Sequence, residues 1–441
     1  MFTRRRVLLG LLVFVIVALV AGYWYQRPLL LTGTGYAAHN ACAVENISER
    51  TDPEKDLPPN PLVPWLRWNS SDDGSTKASL LGVLSAQQAY YTEDFGCTLS
   101  DDRPELPAAS AVSPGANPFA ASPIPVMAPD VEAAVSSAFG DDLTETAQEE
   151  LGTRAVVVVR SGELVAERYA DGFDRETPQL GWSMSKSTTN LLVGRLVHDG
   201  VVSLDSDQLR TEWTDARADI TVEQLLRMTS GLSWDETYDL GTPITRMLYL
   251  EPDMGDYVAD QDLAHEPGTY QQYSSGSTTL LCDILVDATG ADADLPRREL
   301  FAPLGLSSAV LEPDASGTPV CSSYMWATAR DWAALGQFAL QNGSWGGEQL
   351  LPDGWMELST TALDVETEDP DYGAGWWVNR LPDGTVVCDE LPADSYFAKG
   401  HDGQWVVVVP SADLVVVRLG FTPSLDDEGV IELVAALIDQ S

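Results

Sequence analysis

The pattern of hydrophobic positions is most uniform at the start of the chain. From Val7 to Tyr25 no residue is charged, and the run has no polar face. Nineteen residues rising about 1.5 Å each span roughly 28 Å, the thickness of a bilayer's hydrocarbon core. Arg4, Arg5 and Arg6 precede the run, and Tyr23, Trp24, Tyr25 and Arg27 close it. Basic residues hold the first end in the cytoplasm and the aromatic trio suits the far interface, which predicts a transmembrane helix with the remaining chain extracytoplasmic. A cleaved signal peptide, with small residues at Val20 and Gly22, is the alternative, and it too leaves the remaining chain outside the cytoplasm. Segment 1–28 is read as this signal-anchor or transmembrane segment.

Residues 29–97 form a mixed extracytoplasmic segment bracketed by Cys42 and Cys97. Residues 98–129 hold seven prolines among many Ala and Ser, the composition of an extended linker or a strap on a surface. From Asp130 the pattern becomes that of a folded domain, 130–441. Asp130 to Phe139 reads as a helix that starts with a capping residue after a proline. Val156–Val159, Ser161-Gly162 and Leu164–Tyr169 read as one hairpin, and Trp405–Val409, Pro410–Asp413 and Leu414–Leu419 as another. A last helix carries Val430, Val434, Leu437 and Ile438 on one stripe. Between the hairpins lie helices such as Lys186–Asp199 and Ser277–Thr289, each stopped by a glycine, Gly200 or Gly290. The predicted class is α+β. An antiparallel sheet built from both ends of the domain is flanked by helices, with a helical insertion beside it and a cleft between.

Composition narrows the chemistry. There are 67 acidic residues against 25 basic ones, a net charge of −42. Such a surface repels phosphate backbones and anionic lipid, which excludes nucleic acid as a partner and leaves the N-terminal helix as the contact with a membrane. The five cysteines are odd in number, so at least one is a free thiol in an exported chain. Cys42 and Cys97 are expected to pair, because both precede the linker and their bridge closes a loop with little core of its own. Cys282 is expected as a free, buried thiol, and Cys321 with Cys388 is a further possible pair. There is no C-x-x-C, and His39, His198, His265 and His401 are scattered, so neither a metal site nor a cofactor is expected.

No G-x-S-x-G, H-E-x-x-H or phosphate-cradling glycine loop occurs. What remains is Trp182-Ser183-Met184-Ser185-Lys186, directly before an amphipathic helix. A serine and a lysine three apart at a helix start share one face. The serine's own N–H lies among the unpaired amides of the first turn, where the helix dipole favours a developing oxyanion. The lysine takes a proton only when neutral, which requires burial or a neighbouring cation. Taken alone, the spacing equally fits an N-capping serine and a solvated lysine.

Two further segments follow in order: Pro267-Gly-Thr-Tyr-Gln-Gln-Tyr273-Ser274-Ser275-Gly276 before a helix, and Lys399-Gly400-His401-Asp402-Gly403-Gln404 before the terminal hairpin. With Ile220–Leu232, Ala327–Trp332 and Tyr372–Val378, these phrases resemble the serine β-lactamase/penicillin-recognising superfamily over about residues 130–439. The resemblance is to its class C-like branch of β-lactamases, esterases and 6-aminohexanoate-dimer hydrolases. It implies the β-lactamase/DD-peptidase-like fold, with Ser183 as nucleophile, Lys186 as proton acceptor and Tyr273 as proton shuttle to the leaving group. Ser275 stands where many members carry a substrate-holding asparagine. His401-Asp402-Gly403 stands where penicillin enzymes have Lys-Thr-Gly, so His401 and Gly403 are implied at the substrate, and the Gln404 N–H is implied as the oxyanion donor beside that of Ser183. Lys399 is read as a solvated edge residue. Asp402, a strand neighbour, is expected to point away from His401. Trp182, Trp376 and Trp377 are read as packing residues. The implied activity is serine hydrolysis of small amides or esters through an acyl-enzyme. A penicillin-interacting peptidase or β-lactamase acting on cell-wall peptides, and a silent binding protein on the same fold, are the alternatives.

Overall fold

The computed structural model describes residues 2–58, 60–423 and 428–438, without the side chains of residues 2–5. The side chains of Arg4 and Arg5 and the last residues of the expected domain therefore lie outside the described part. The N-terminal helix continues past residue 28. Helix α1 runs unbroken from Phe2 to Asn46 with Pro28 inside it. It is long and apolar enough to cross a membrane. A proline removes only one helical hydrogen bond, and here a second packing surface takes over beyond it. Residues 7–20 are exposed, whereas Ala37, Ala38 and Ala41 through Val44 are buried.

The buried half of α1 packs on a four-stranded antiparallel sheet of β1 (Leu66–Ser70), β2 (Ser75–Leu80), β3 (Leu84–Thr92) and β4 (Gly96–Leu99). Alanines on α1 meet Ala78 and Ala89, so the backbones approach closely, and Trp326 from the following domain completes this core. Segment 29–97 is thus one layer of a larger body. Glu312, fully buried, ties the layers together. Its carboxylate accepts from the Cys97 N–H at 2.6 Å and the Trp326 indole at 2.9 Å, and lies 2.9 Å from His39 on α1.

The proline-rich stretch is a strap. Ser110 is held by Asp294, Asn117 donates to Asp331, and Arg330 donates to the carbonyls of Phe119 and Ser122 while pairing with Glu167. Phe119 is buried in the main core.

Six antiparallel strands form the central sheet: β5 (Thr153–Arg160), β6 (Glu163–Tyr169), β7 (Trp377–Val378), β8 (Tyr396–Gly400), β9 (Gln404–Val409) and β10 (Leu414–Gly420), in the order β7-β8-β9-β10-β5-β6. The two ends of the domain meet where β10 pairs with β5. Alternate valines serve opposite faces, as a period of two requires. Val157, Val159, Val415 and Val417 join the main core, and Val156, Val158, Leu414 and Val416 a second one. The second face is covered by α2 (Pro129–Ala138) and α6 (Glu428–Ile438), and the first by α5 (Ala329–Leu340). Helices α3 (Met184–His198) and α4 (Ser275–Thr289) lie in the insertion, on the same side as α5.

Cys42 is bonded to Cys97, joining α1 to β4. Cys282 is not free: α4 turns it onto Cys321, with Cα atoms 6.1 Å apart. The Cys321–Cys388 pair is excluded by that bond, and Cys388 is the half-buried thiol that remains. Removing the Cys42–Cys97 bond frees a loop of 55 residues, which by loop entropy destabilises by about 4 kcal/mol. Non-reducing peptide mapping should return Cys42–Cys97 and Cys282–Cys321 with only Cys388 alkylated. A free Cys42 would contradict this.

Candidate active site

Strand and insertion face each other across a cleft of about 270 Å³. Its floor is a tight turn. The Gly181 N–H donates to Met325, Met184 donates back to Gly181, and Trp182 takes a left-handed φ of 48° that sends the chain sharply into α3. Ser183 sits at the start of that helix, half-exposed to the cleft, and its N–H donates to no backbone carbonyl among the described residues.

Lys186 lies one turn further in and is 1% exposed. Its Nζ is 3.0 Å from Ser183 Oγ, 2.8 Å from Ser275 Oγ and 3.2 Å from the Ser322 carbonyl. Burial disfavours its charged form and lowers the pKa to about 8, while the Glu236 carboxylate pulls the other way. Glu236 acts at one remove: it accepts from the Ser275 hydroxyl at 2.5 Å, the Ser275 N–H at 2.9 Å and the Trp234 indole at 2.6 Å.

Tyr273 reaches the cleft from the loop before α4. Asp369 accepts its backbone N–H at 3.0 Å, and its ring lies 4.7 Å from Lys186 Nζ, against Tyr372 and Trp377. Burial pushes the phenol well above its ordinary range, so at neutral pH it holds its proton. Ser183, Lys186 and Tyr273 therefore converge on one point.

The remaining expected residues are placed differently. Ser275 does not face the cleft. Its side chain is fully buried behind Lys186, because a short hydroxyl is captured between the amine and Glu236. Gly403 is a turn residue with φ 83° whose carbonyl accepts from Arg418. The Gln404 N–H, expected as an oxyanion donor, is turned away. Asn379 N–H donates to the Ser395 carbonyl, flanking the Val378–Tyr396 pair, so Tyr396 directs its own amide toward β9. By the alternation of an antiparallel ladder, Ala398 and Gly400 do the same. Gly400 and Gln404 thus spend their N–H groups on each other.

The same parity aims the His401 amide at the edge where Trp377 sits, and it donates to no backbone carbonyl among the described residues. Gly400 makes this approach possible: a Cβ there would lie 2.0 Å from the Gly181 carbonyl oxygen. His401 itself lines the cleft, as do Lys399 and Trp377. The Lys399 ammonium lies 4.4 Å from the centre of the Trp405 ring, not in open solvent. Asp402 does reach His401, with Oδ1 3.3 Å from Nδ1, because 401–403 is a turn with φ 59° at Asp402 rather than a strand. The Asp402 N–H also donates to Nδ1 at 2.9 Å. Glu236, Tyr238 and the Ser322 carbonyl were missed by sequence reasoning, and none lies in a phrase that signals it.

A family model described as Beta-lactamase matches residues 141–434. The chain belongs to the beta-lactamase family. Within it, the chain is 27% identical over 305 residues to a 6-aminohexanoate-dimer hydrolase of Paenarthrobacter ureafaciens, covering 63% of this chain and 75% of that one. Among solved structures, EstCE1, described as a hydrolase with promiscuous acyltransferase activity, superposes with a TM-score of 0.56 at 18% identity, over 70% of this chain and 98% of that one. A penicillin-binding protein homologue from Caulobacter crescentus gives 0.55 at 20%, over 73% and 100%. These two establish the shared fold.

Burial sets the Lys186 pKa at about 8, so a reaction that needs its amine neutral should rise with pH through that value. Glu236→Gln removes the charge that holds this pKa up. The acid limb of kcat/KM for an ester substrate should then move to lower pH, and an unmoved or raised limb would contradict the assignment.

Proposed function

We propose that this beta-lactamase-family protein is an exported serine hydrolase that cleaves small amides or esters by acyl transfer. The observation that carries the reading is the 3.0 Å approach of Ser183 Oγ to a buried lysine whose pKa is lowered to about 8. The neutral Lys186 amine takes the Ser183 proton as Oγ adds to the substrate carbonyl. The tetrahedral oxyanion is held by the N–H groups of Ser183 and His401, the latter in place of the Gln404 amide that the sequence implied. Tyr273, protonated at neutral pH, relays a proton to the departing amine or alcohol. Water then adds to the acyl-enzyme by the same route and releases the acid. The named amidase relative supports an amide or ester substrate. Helix α1 and the two disulfides support export.

Ser183→Ala should abolish hydrolysis of p-nitrophenyl esters and labelling by a fluorophosphonate, and Lys186→Ala should lower kcat by on the order of 10³-fold. Activity of Ser183→Ala within tenfold of wild type would sink the mechanism. Benzylpenicillin should acylate Ser183 slowly. No lysine stands at His401, and losing one charge-assisted hydrogen bond to the substrate carboxylate costs about 1.5–3 kcal/mol, roughly 10- to 150-fold. Fast penicillin turnover without esterase activity would instead indicate a β-lactamase.

A further inference from the structure

Beside the cleft lies a second cavity of about 200 Å³. Tyr238 and His401, with ring centres 4.7 Å apart, line both spaces. Trp182, the residue just before Ser183, closes one side. Tyr36 of α1 stacks on it, with ring centres 6.2 Å apart and planes within 9°. Leu62, Val63 and Leu66 form the far wall, and the turn of α1 at Thr32 and Gly33 completes it. The family match begins only at residue 141, so this wall comes from chain outside the matched region.

The position of the wall on α1 matters. Thr32 is fully buried, yet Tyr25, seven residues earlier, is 82% exposed, at the end of the apolar run. Seven residues of helix rise about 10 Å. The cavity therefore opens off the first buried turns above the aromatic residues Tyr23–Tyr25, close to where that run would leave a bilayer. Exposed Trp65, Leu81 and Val83 lie on the same side: Leu81 donates to the Trp65 carbonyl, and Ser85, after the Leu81–Val83 tip, is 3.2 Å from the Tyr23 hydroxyl.

We infer that this cavity is the acyl subsite of the Ser183 centre, and that its substrates are neutral esters or amides bearing a single apolar acyl chain, drawn from a membrane surface. The inference rests on the hydrolase reading above. An acyl chain seated against Tyr36, Trp182 and Leu62 would run past the Tyr238–His401 pair and bring its carbonyl to Ser183. The volume exceeds the roughly 150 Å³ of an engineered apolar cavity that takes benzene. Neutral substrates are specified because a net charge of −42 repels anionic amphiphiles.

The test uses the full chain in nanodiscs of zwitterionic lipid. Burial of one methylene is worth about 0.8 kcal/mol, so kcat/KM for p-nitrophenyl esters should rise roughly fourfold per carbon from acetate to hexanoate. Leu62→Trp, which fills the cavity from its far wall, should lower the ratio of hexanoate to acetate kcat/KM at least tenfold. Octanamide binding to Ser183→Ala, followed by calorimetry, reads the cavity without catalysis and should vanish when Leu62→Trp is added. A flat chain-length profile, or octanamide binding that is absent or indifferent to Leu62→Trp, overturns the inference while acetate turnover leaves the hydrolase reading standing. Absence of both acetate turnover and fluorophosphonate labelling in the unmodified protein, with octanamide bound to Ser183→Ala, would overturn the hydrolase reading instead.

Discussion

The site depends on one buried nitrogen. Lys186 is almost fully shielded from water, and an ammonium there loses its hydration. The fold compensates with three oxygens, two of them hydroxyls, rather than with a carboxylate in direct contact. A direct ion pair would hold the lysine charged. Setting Glu236 behind the Ser275 hydroxyl weakens its pull, and burial wins the contest by lowering the pKa to about 8. Much of the neighbouring architecture fixes this arrangement. The Trp182 turn presents Ser183, α4 supplies Ser275, and the loop bearing the Ser322 carbonyl is anchored to α4 by Cys282–Cys321 and to α3 by the Thr189–Cys321 hydrogen bond.

The N-terminal region is integrated with this centre. Its small-residue face admits β2 and β3 closely, Glu312 bridges it to the domain through three partners, and Tyr36 reaches the Trp182 ring beside Ser183. A helix that emerges from an apolar span and then becomes core has little freedom to swing. The orientation of the cleft relative to α1 is therefore set by packing.

Strand parity decides which backbone groups are available for chemistry. Residues at even positions of β8 spend their amides on β9, and those at odd positions turn theirs toward the β7 edge. Gln404, paired with Gly400 across the turn, has its amide spent, whereas the His401 amide three residues earlier donates to no backbone carbonyl among the described residues. The same local geometry explains Asp402: in a strand it would point away from His401, but in a turn with positive φ it bends back to it.

The sequence by itself determined what local pattern controls. The apolar run, the two hairpins, the proline-rich strap, and Ser183 and Lys186 on one helical face all follow from periodicity or spacing over a few residues. Tyr273 was legible only through resemblance, because its place beside Lys186 depends on contacts 87 residues away along the chain. Tertiary structure alone decided the rest. Cys282 met Cys321 because α4 packs against a loop 39 residues on, and α1 continued past Pro28 because a sheet not yet formed at that point in the chain buries its far half. Glu236 tunes Lys186 through a hydroxyl contributed by another helix. Each of these is an interaction between segments distant in sequence, whose energy exists only once burial has brought them together, and no period or motif within one segment encodes it.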